Sequence, residues 1–90
     1  MTTETKTPTR TQRIRAAMMD VLRASSHSAG IDRGSMWDRL YRSHGLNITQ
    51  ATITKHLKAL ESDEIVWGWA DWTDHGRRRF ALTKKGRGDE

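Results

Sequence analysis

Ninety residues with a net charge of +5, 34% hydrophobic residues and no cysteine allow one small domain with a modest core. They exclude a disulfide framework, a thiolate nucleophile and a cysteine-ligated metal. Mean hydropathy is -0.82, no apolar run approaches the roughly 20 residues of a membrane span, and the N-terminus lacks a signal peptide's hydrophobic stretch, so a cytoplasmic protein that does not enter membranes is expected. In chain order, residues 1–9, MTTETKTPT, are Thr-rich, carry the only proline and lack apolar periodicity, which predicts a flexible tail ahead of a domain over residues 10–88. A first helix is predicted from Thr9 or Thr11 to Ala24, with Ile14, Ala17, Met18, Val21 and Leu22 on one buried stripe. Ser25 to Gly30 ends it with small polar residues and a glycine suited to a left-handed cap.

A second helix is expected to begin near Ser35, whose hydroxyl would accept from the first-turn amides while Asp38 reaches back. Met36 and Leu40 give it an apolar side and Gly45 closes it. After the short turn Leu46-Asn47-Ile48, Thr49 caps a third helix, TQATITKHLKALES, with Ile53, Leu57 and Leu60 inward. Two helices joined by a tight turn containing glycine form a helix-turn-helix. Beyond Asp63 the period changes: IVWGWADW reads as a strand, Thr73 to Gly76 as a turn and RRRFALT as the returning strand. Alternation puts Phe80 and Leu82 on one face of that strand and Arg79 and Ala81 on the other. The predicted fold class is α+β and mainly α: three helices followed by a two-stranded hairpin, with room for one short extra strand.

This order resembles the winged helix-turn-helix domain of PadR-like and MarR-like bacterial regulators. The resemblance rests on Leu57, Leu60 and Glu61 followed by Ile65-Val66, and on Leu82, Thr83 and Gly86 after the second strand, and it covers roughly residues 10–88. Asp63-Glu64 stands where those families usually place a glycine. Their additional dimerisation helices have no counterpart after Gly86, so a dimer is expected to use another surface.

The resemblance implies that helix 49–62 is the recognition helix and lies in the major groove of double-stranded DNA; a transcriptional regulator is expected, a repressor before an activator. The residues agree. With Ile53, Leu57 and Leu60 inward, the outward arc carries Gln50, Ala51, Thr52, Thr54, Lys55 and Lys58. Gln50 suits adenine, threonine methyls suit thymine, and lysine suits guanine or phosphate. Base contacts are assigned to Gln50, Ala51, Thr52, Thr54 and Lys55. Backbone contacts go to Thr49, Lys58 and the wing arginines Arg77, Arg78 and Arg79, with the wing (73–79) on the backbone or in the minor groove. Lys6, Arg10, Arg13 and Arg15 are further candidates for phosphate contact.

Charge segregation supports one basic side. No acid lies between Asp38 and Glu61, where Arg39, Arg42, Lys55 and Lys58 fall, and none between Arg77 and Arg87, where six basic residues fall. Four tryptophans are many for this length. Trp37 is expected at or near the core. Trp67 and Trp69 share one strand face and Trp72 the parity of Val66, so part of the set is a candidate surface for a homodimer or a protein partner. His27, His44, His56 and His75 lack metal-ligand spacing, and no phosphate-binding glycine loop appears. Neither a metal, a cofactor nor an enzyme activity is expected. The alternatives are a winged-helix protein-interaction module without DNA binding, and RNA or single-strand binding through tryptophan stacking.

Overall fold

The computed structural model describes residues 9–88, and the predicted flexibility of residues 1–8, Lys6 included, lies outside the described residues. Helix α1 (Arg10–Ala24) begins at Thr9, which accepts from the Gln12 amide while the Gln12 side chain accepts from the Thr9 amide, a complete capping box. Thr9 is therefore fixed at the helix start and not part of a loose tail. A two-residue strand, β1 (Ile31–Asp32), leads into α2 (Arg33–His44), and α3 (Gln50–Ser62) follows. The strands β2 (Val66–Asp71) and β3 (Arg77–Leu82) flank a 3-10 turn at Trp72–Asp74, and a short helix, α4 (Lys84–Arg87), closes the described chain.

The start of α2 differs from expectation. Asp32, not Ser35, is the N-cap: its carboxylate accepts from the Ser35 amide at 3.2 Å and from the Ser35 hydroxyl at 2.7 Å. A carboxylate at a helix N-terminus gains from the helix dipole as well as from the hydrogen bonds, which a hydroxyl does not. Asp38 pairs with Arg42 one turn on, at 2.7 Å. The expected C-cap holds, with Gly45 left-handed at φ 65°. Thr49 caps α3 as predicted. The far end of α3 closes without glycine: Glu64 takes the left-handed conformation at φ 61°, and the amides of Glu64 and Ile65 return to the carbonyls of Glu61 and Leu60.

The three strands form an antiparallel sheet in the order β1-β3-β2. One face carries Val66, Gly68 and Ala70 opposite Leu82, Phe80 and Arg78, with Ile31 opposite Phe80 on the other side. Val66, Phe80, Leu82 and Ile31 join the helical residues Met18, Leu22, Met36, Leu40, Ile53 and Leu57 in a single buried cluster. The other face pairs Trp67 with Ala81 and Trp69 with Arg79. Ala81 is buried there, so both faces of β3 are covered at its C-terminal end. Trp72 lies beyond the strand, in the turn, and strand parity does not govern it. Its ring lies over Gly76, where a Cβ would come within 2.8 Å of the indole. Gly76 and His75 both have positive φ in this turn.

Candidate nucleic-acid interface

The inward set of α3 is Ile53, Leu57 and Leu60 as predicted, with His56 added to it. That packing leaves Ala51, Lys55 and Lys58 exposed at spacings of four and three, one ridge along the helix. Gln50 is also exposed, and Thr52 and Thr54 are half-buried at its flanks. Thr49 and Thr52 place their hydroxyls 3.0 Å apart, and Thr49 also accepts from the Thr52 amide, so both hydroxyls serve the helix start. Among the described residues neither Lys55 nor Lys58 has an ion-pair partner, and Arg39 on α2 also has none.

Between α3, the start of α2 and the hairpin lies an open cleft of about 540 Å³. Leu57 and Phe80 are its apolar floor, and Thr54, Lys58, Arg33 and Arg78 stand at its rim. The first basic segment and the hairpin arginines do meet here, but they do not meet alone. Arg78 reaches Glu61 of α3 at 3.6 Å, and its guanidinium lies over the Phe80 ring at 5.7 Å. Gly68 makes that arrangement possible, since a Cβ there would sit 2.9 Å from Phe80 and 3.0 Å from the Arg78 guanidinium. Arg77 pairs with Asp74 at 3.1 Å and with the capping carboxylate of Asp32 at 3.4 Å.

Arg79 is the most enclosed of the three, its side chain 24% exposed between Asp71 at 2.8 Å and Asp74 at 3.0 Å. The Asp71 carboxyl is held below the usual carboxylate range by hydrogen bonds from Thr73 and Arg79, and the bond to Asp71 raises the Arg79 guanidinium in turn. At Asp32, partial burial works to raise the carboxyl, but hydrogen bonds from Ser35 and Arg77 outweigh it and the net shift is downward. The hairpin thus brings Asp71 and Asp74 onto Arg79, while the α2 cap supplies Asp32 to Arg77 and the end of α3 supplies Glu61 to Arg78. Two of the remaining basic residues turn back to the backbone: Lys85 donates to the Asp63 carbonyl at 2.9 Å and Arg87 to the Leu82 carbonyl at 3.2 Å, while Lys84 is exposed. Within the segment from Arg77 to Arg87, the three arginines of β3 are therefore paired with carboxylates.

Two residues at the site escape a reading of the sequence. Arg33 is one: with α2 expected to start at Ser35, it falls in a loop, whereas it is the first helical residue and donates to the Thr54 hydroxyl at 3.0 Å. Asp32 followed by Ser35 at the N3 position is the signal that would have found it. The other is His56, buried on α3, whose Nδ1 accepts from the Arg15 Nε at 3.2 Å. Burial, and then the charges of Arg15 and Lys55, push the His56 imidazolium toward deprotonation, below the usual histidine value. Arg15 is in this way committed to a contact between α1 and α3.

The tryptophans divide three ways. Trp37 is half-buried, donates its Nε1 hydrogen to the Ile48 carbonyl at 2.7 Å and stacks on Tyr41. Trp67 and Trp69 stack on each other with centroids 4.3 Å apart, and Trp69 also packs over Gly30. Trp67 remains 49% exposed and Trp72 84%. Among the described residues no cluster of three or more His, Cys, Asp or Glu side chains could hold a metal ion, and no helix is long and apolar enough to cross a membrane. No protein-family model matches this chain, and no curated protein matches it.

Proposed function

We propose that this domain is a winged helix that binds double-stranded DNA, with α3 in the major groove and the hairpin as the wing, and that it works as a transcriptional regulator, more specifically a repressor. The observation that carries the reading is the ridge Ala51, Lys55 and Lys58, whose lysines are exposed and have no ion-pair partner among the described residues. An ammonium without a carboxylate partner contributes its whole charge to phosphate or guanine. Gln50, Thr52 and Thr54 flank the ridge as further base contacts, and Thr49 contacts the backbone at the helix start. In the wing, Arg77 and Arg78 are half-exposed and can exchange carboxylate for phosphate, while Arg79 has a structural role between Asp71 and Asp74. The reading requires no cofactor and no catalysis, and it assigns the protein to the cytoplasm, on the chromosome.

The test is selection from a random pool of short duplexes, followed by a salt titration of the enriched sequence. An enriched motif whose affinity falls steeply with salt is expected, and the double variant Lys55→Glu, Lys58→Glu is expected to abolish binding. Unaltered affinity in that variant overturns the assignment of α3. The exposure of Trp72 and Trp67 supports a second reading, a protein-interaction surface or homodimer contact on the hairpin. Sedimentation separates the two: Trp67→Ser with Trp72→Ser is expected to dissociate a dimer if this surface holds one, with the lysine ridge intact. Loss of single-strand binding in that variant, with duplex binding absent, would instead favour tryptophan stacking on unpaired bases.

A further inference from the structure

We propose that Arg33 and Thr54 act together as a reader of guanine, a proposal that rests on α3 being the recognition helix. Arg33 occupies the first position of α2 and reaches across to α3, where its Nη1 donates to the Thr54 Oγ1 at 3.0 Å. Both line the same cleft, beside Lys58. The neighbouring carboxylate that would neutralise Arg33 is taken: Asp32 accepts from Ser35 and pairs with Arg77. Among the described residues Arg33 therefore has no carboxylate partner. The Thr54 hydroxyl has accepted from Arg33, and among the described residues its own hydrogen has no acceptor.

The result is a cluster that presents donors: the remaining N–H groups of Arg33, the Thr54 O–H and the Lys58 ammonium. Guanine is the base whose major-groove edge offers two adjacent acceptors, O6 and N7. Adenine places an amino donor beside its N7 and cytosine presents an amino donor, so each sets donor against donor. Thymine offers one acceptor and a methyl group. The hydrogen bond to Thr54 also orients the planar guanidinium before any ligand arrives, which reduces the ordering cost of a bidentate contact.

The experiment is duplex selection with the wild-type protein, Arg33→Ala, Arg33→Lys and Thr54→Val, each first shown to melt cooperatively. Wild type is expected to enrich a guanine at one fixed position. Arg33→Ala and Thr54→Val are expected to lose that preference there while keeping the rest of the motif, and Arg33→Lys to keep a weaker preference, since lysine lacks the planar fork. Replacing that guanine with 7-deazaguanine, which removes N7 and keeps O6, is expected to weaken wild-type binding roughly 2- to 12-fold, the loss of one of the two hydrogen bonds, with little further effect on Arg33→Ala. Guanine retained in the Arg33→Ala selection overturns the proposal. So does a uniform loss of affinity across sequences with a shallower salt dependence, which would make Arg33 a phosphate contact. Failure of the wild-type protein to bind any duplex overturns the recognition-helix reading itself, and is distinguishable from both.

Discussion

Replacing Gly86 with alanine is expected to destabilise the domain without touching the proposed interface. A Cβ at this position would collide with the backbone carbonyl oxygen of Ile65 and crowd the Ile65 side chain at 3.1 Å. The carbonyl cannot swing aside freely, because it accepts from the Thr83 amide at 2.9 Å and the Thr83 hydroxyl at 3.2 Å. Relief by a backbone shift costs about 1–3 kcal/mol as overpacking, and each weakened hydrogen bond adds about 0.5–1.5 kcal/mol. The intrinsic helical gain of alanine over glycine, about 0.5–1 kcal/mol, offsets part of this. A net loss of roughly 2 kcal/mol follows, which for a domain of this size lowers the melting temperature by roughly 10 °C. Urea unfolding followed by tryptophan fluorescence measures it, with Lys84→Ala, an exposed change in the same turn, as a control expected within about 0.5 kcal/mol. A loss below about 0.5 kcal/mol for Gly86→Ala would refute the argument that this glycine is needed for the close approach of α4 to Ile65.

In a salt titration of duplex binding, Lys58→Gln is expected to reduce the slope by about 0.9, the loss of one phosphate contact. Arg79→Gln is expected to leave the slope unchanged while lowering the melting temperature, because Arg79 is held between Asp71 and Asp74; a reduced slope would make it a DNA ligand. Glu64→Gly is expected to stabilise the chain by roughly 1 kcal/mol, since Glu64 bears a left-handed conformation that glycine adopts without penalty, and denaturant unfolding reads the sign. Stability is also expected to depend on pH through His56. Its folded value lies below the ordinary 6.5, so the unfolded chain binds the proton more readily. Stability is complete above pH 6.5 and declines as pH falls through 6.5 toward the folded value. His56→Gln should remove this part of the pH dependence, and an unchanged profile would refute the assignment.

Local rules made much of the fold legible. The stripe of α1, the Thr49 cap, the Gly45 stop and the inward face of α3 each depend on residues within one or two turns of each other, and each lies where periodicity and capping put it. The cap of α2 lies three residues earlier than Ser35, because the Asp32 carboxylate accepts from both the amide and the hydroxyl of Ser35 and gains from the helix dipole. The exposed ridge of α3 was legible for the same local reason: once its buried residues are identified, helical spacing determines what faces outward.

The sequence by itself determined the order of the three long helices and the hairpin, the apolar stripes of α1 and α3 and the exposed ridge of α3, because periodicity and capping act over a few residues. The place of β1, the helix α4 and the burial of His56 and Ala81 were not legible in it. Only the tertiary structure decided what the charges do. Antiparallel pairing of β2 with β3 placed Asp71 and Asp74 on Arg79, the α2 cap brought Asp32 to Arg77, and the end of α3 brought Glu61 to Arg78. Cations that stand in an acid-free stretch of the chain were thereby paired, while Arg33, next to Asp32 in the sequence, has no carboxylate partner among the described residues. Ion pairing depends on separation in space over a few ångströms, and the folded backbone sets those separations between residues up to 45 positions apart.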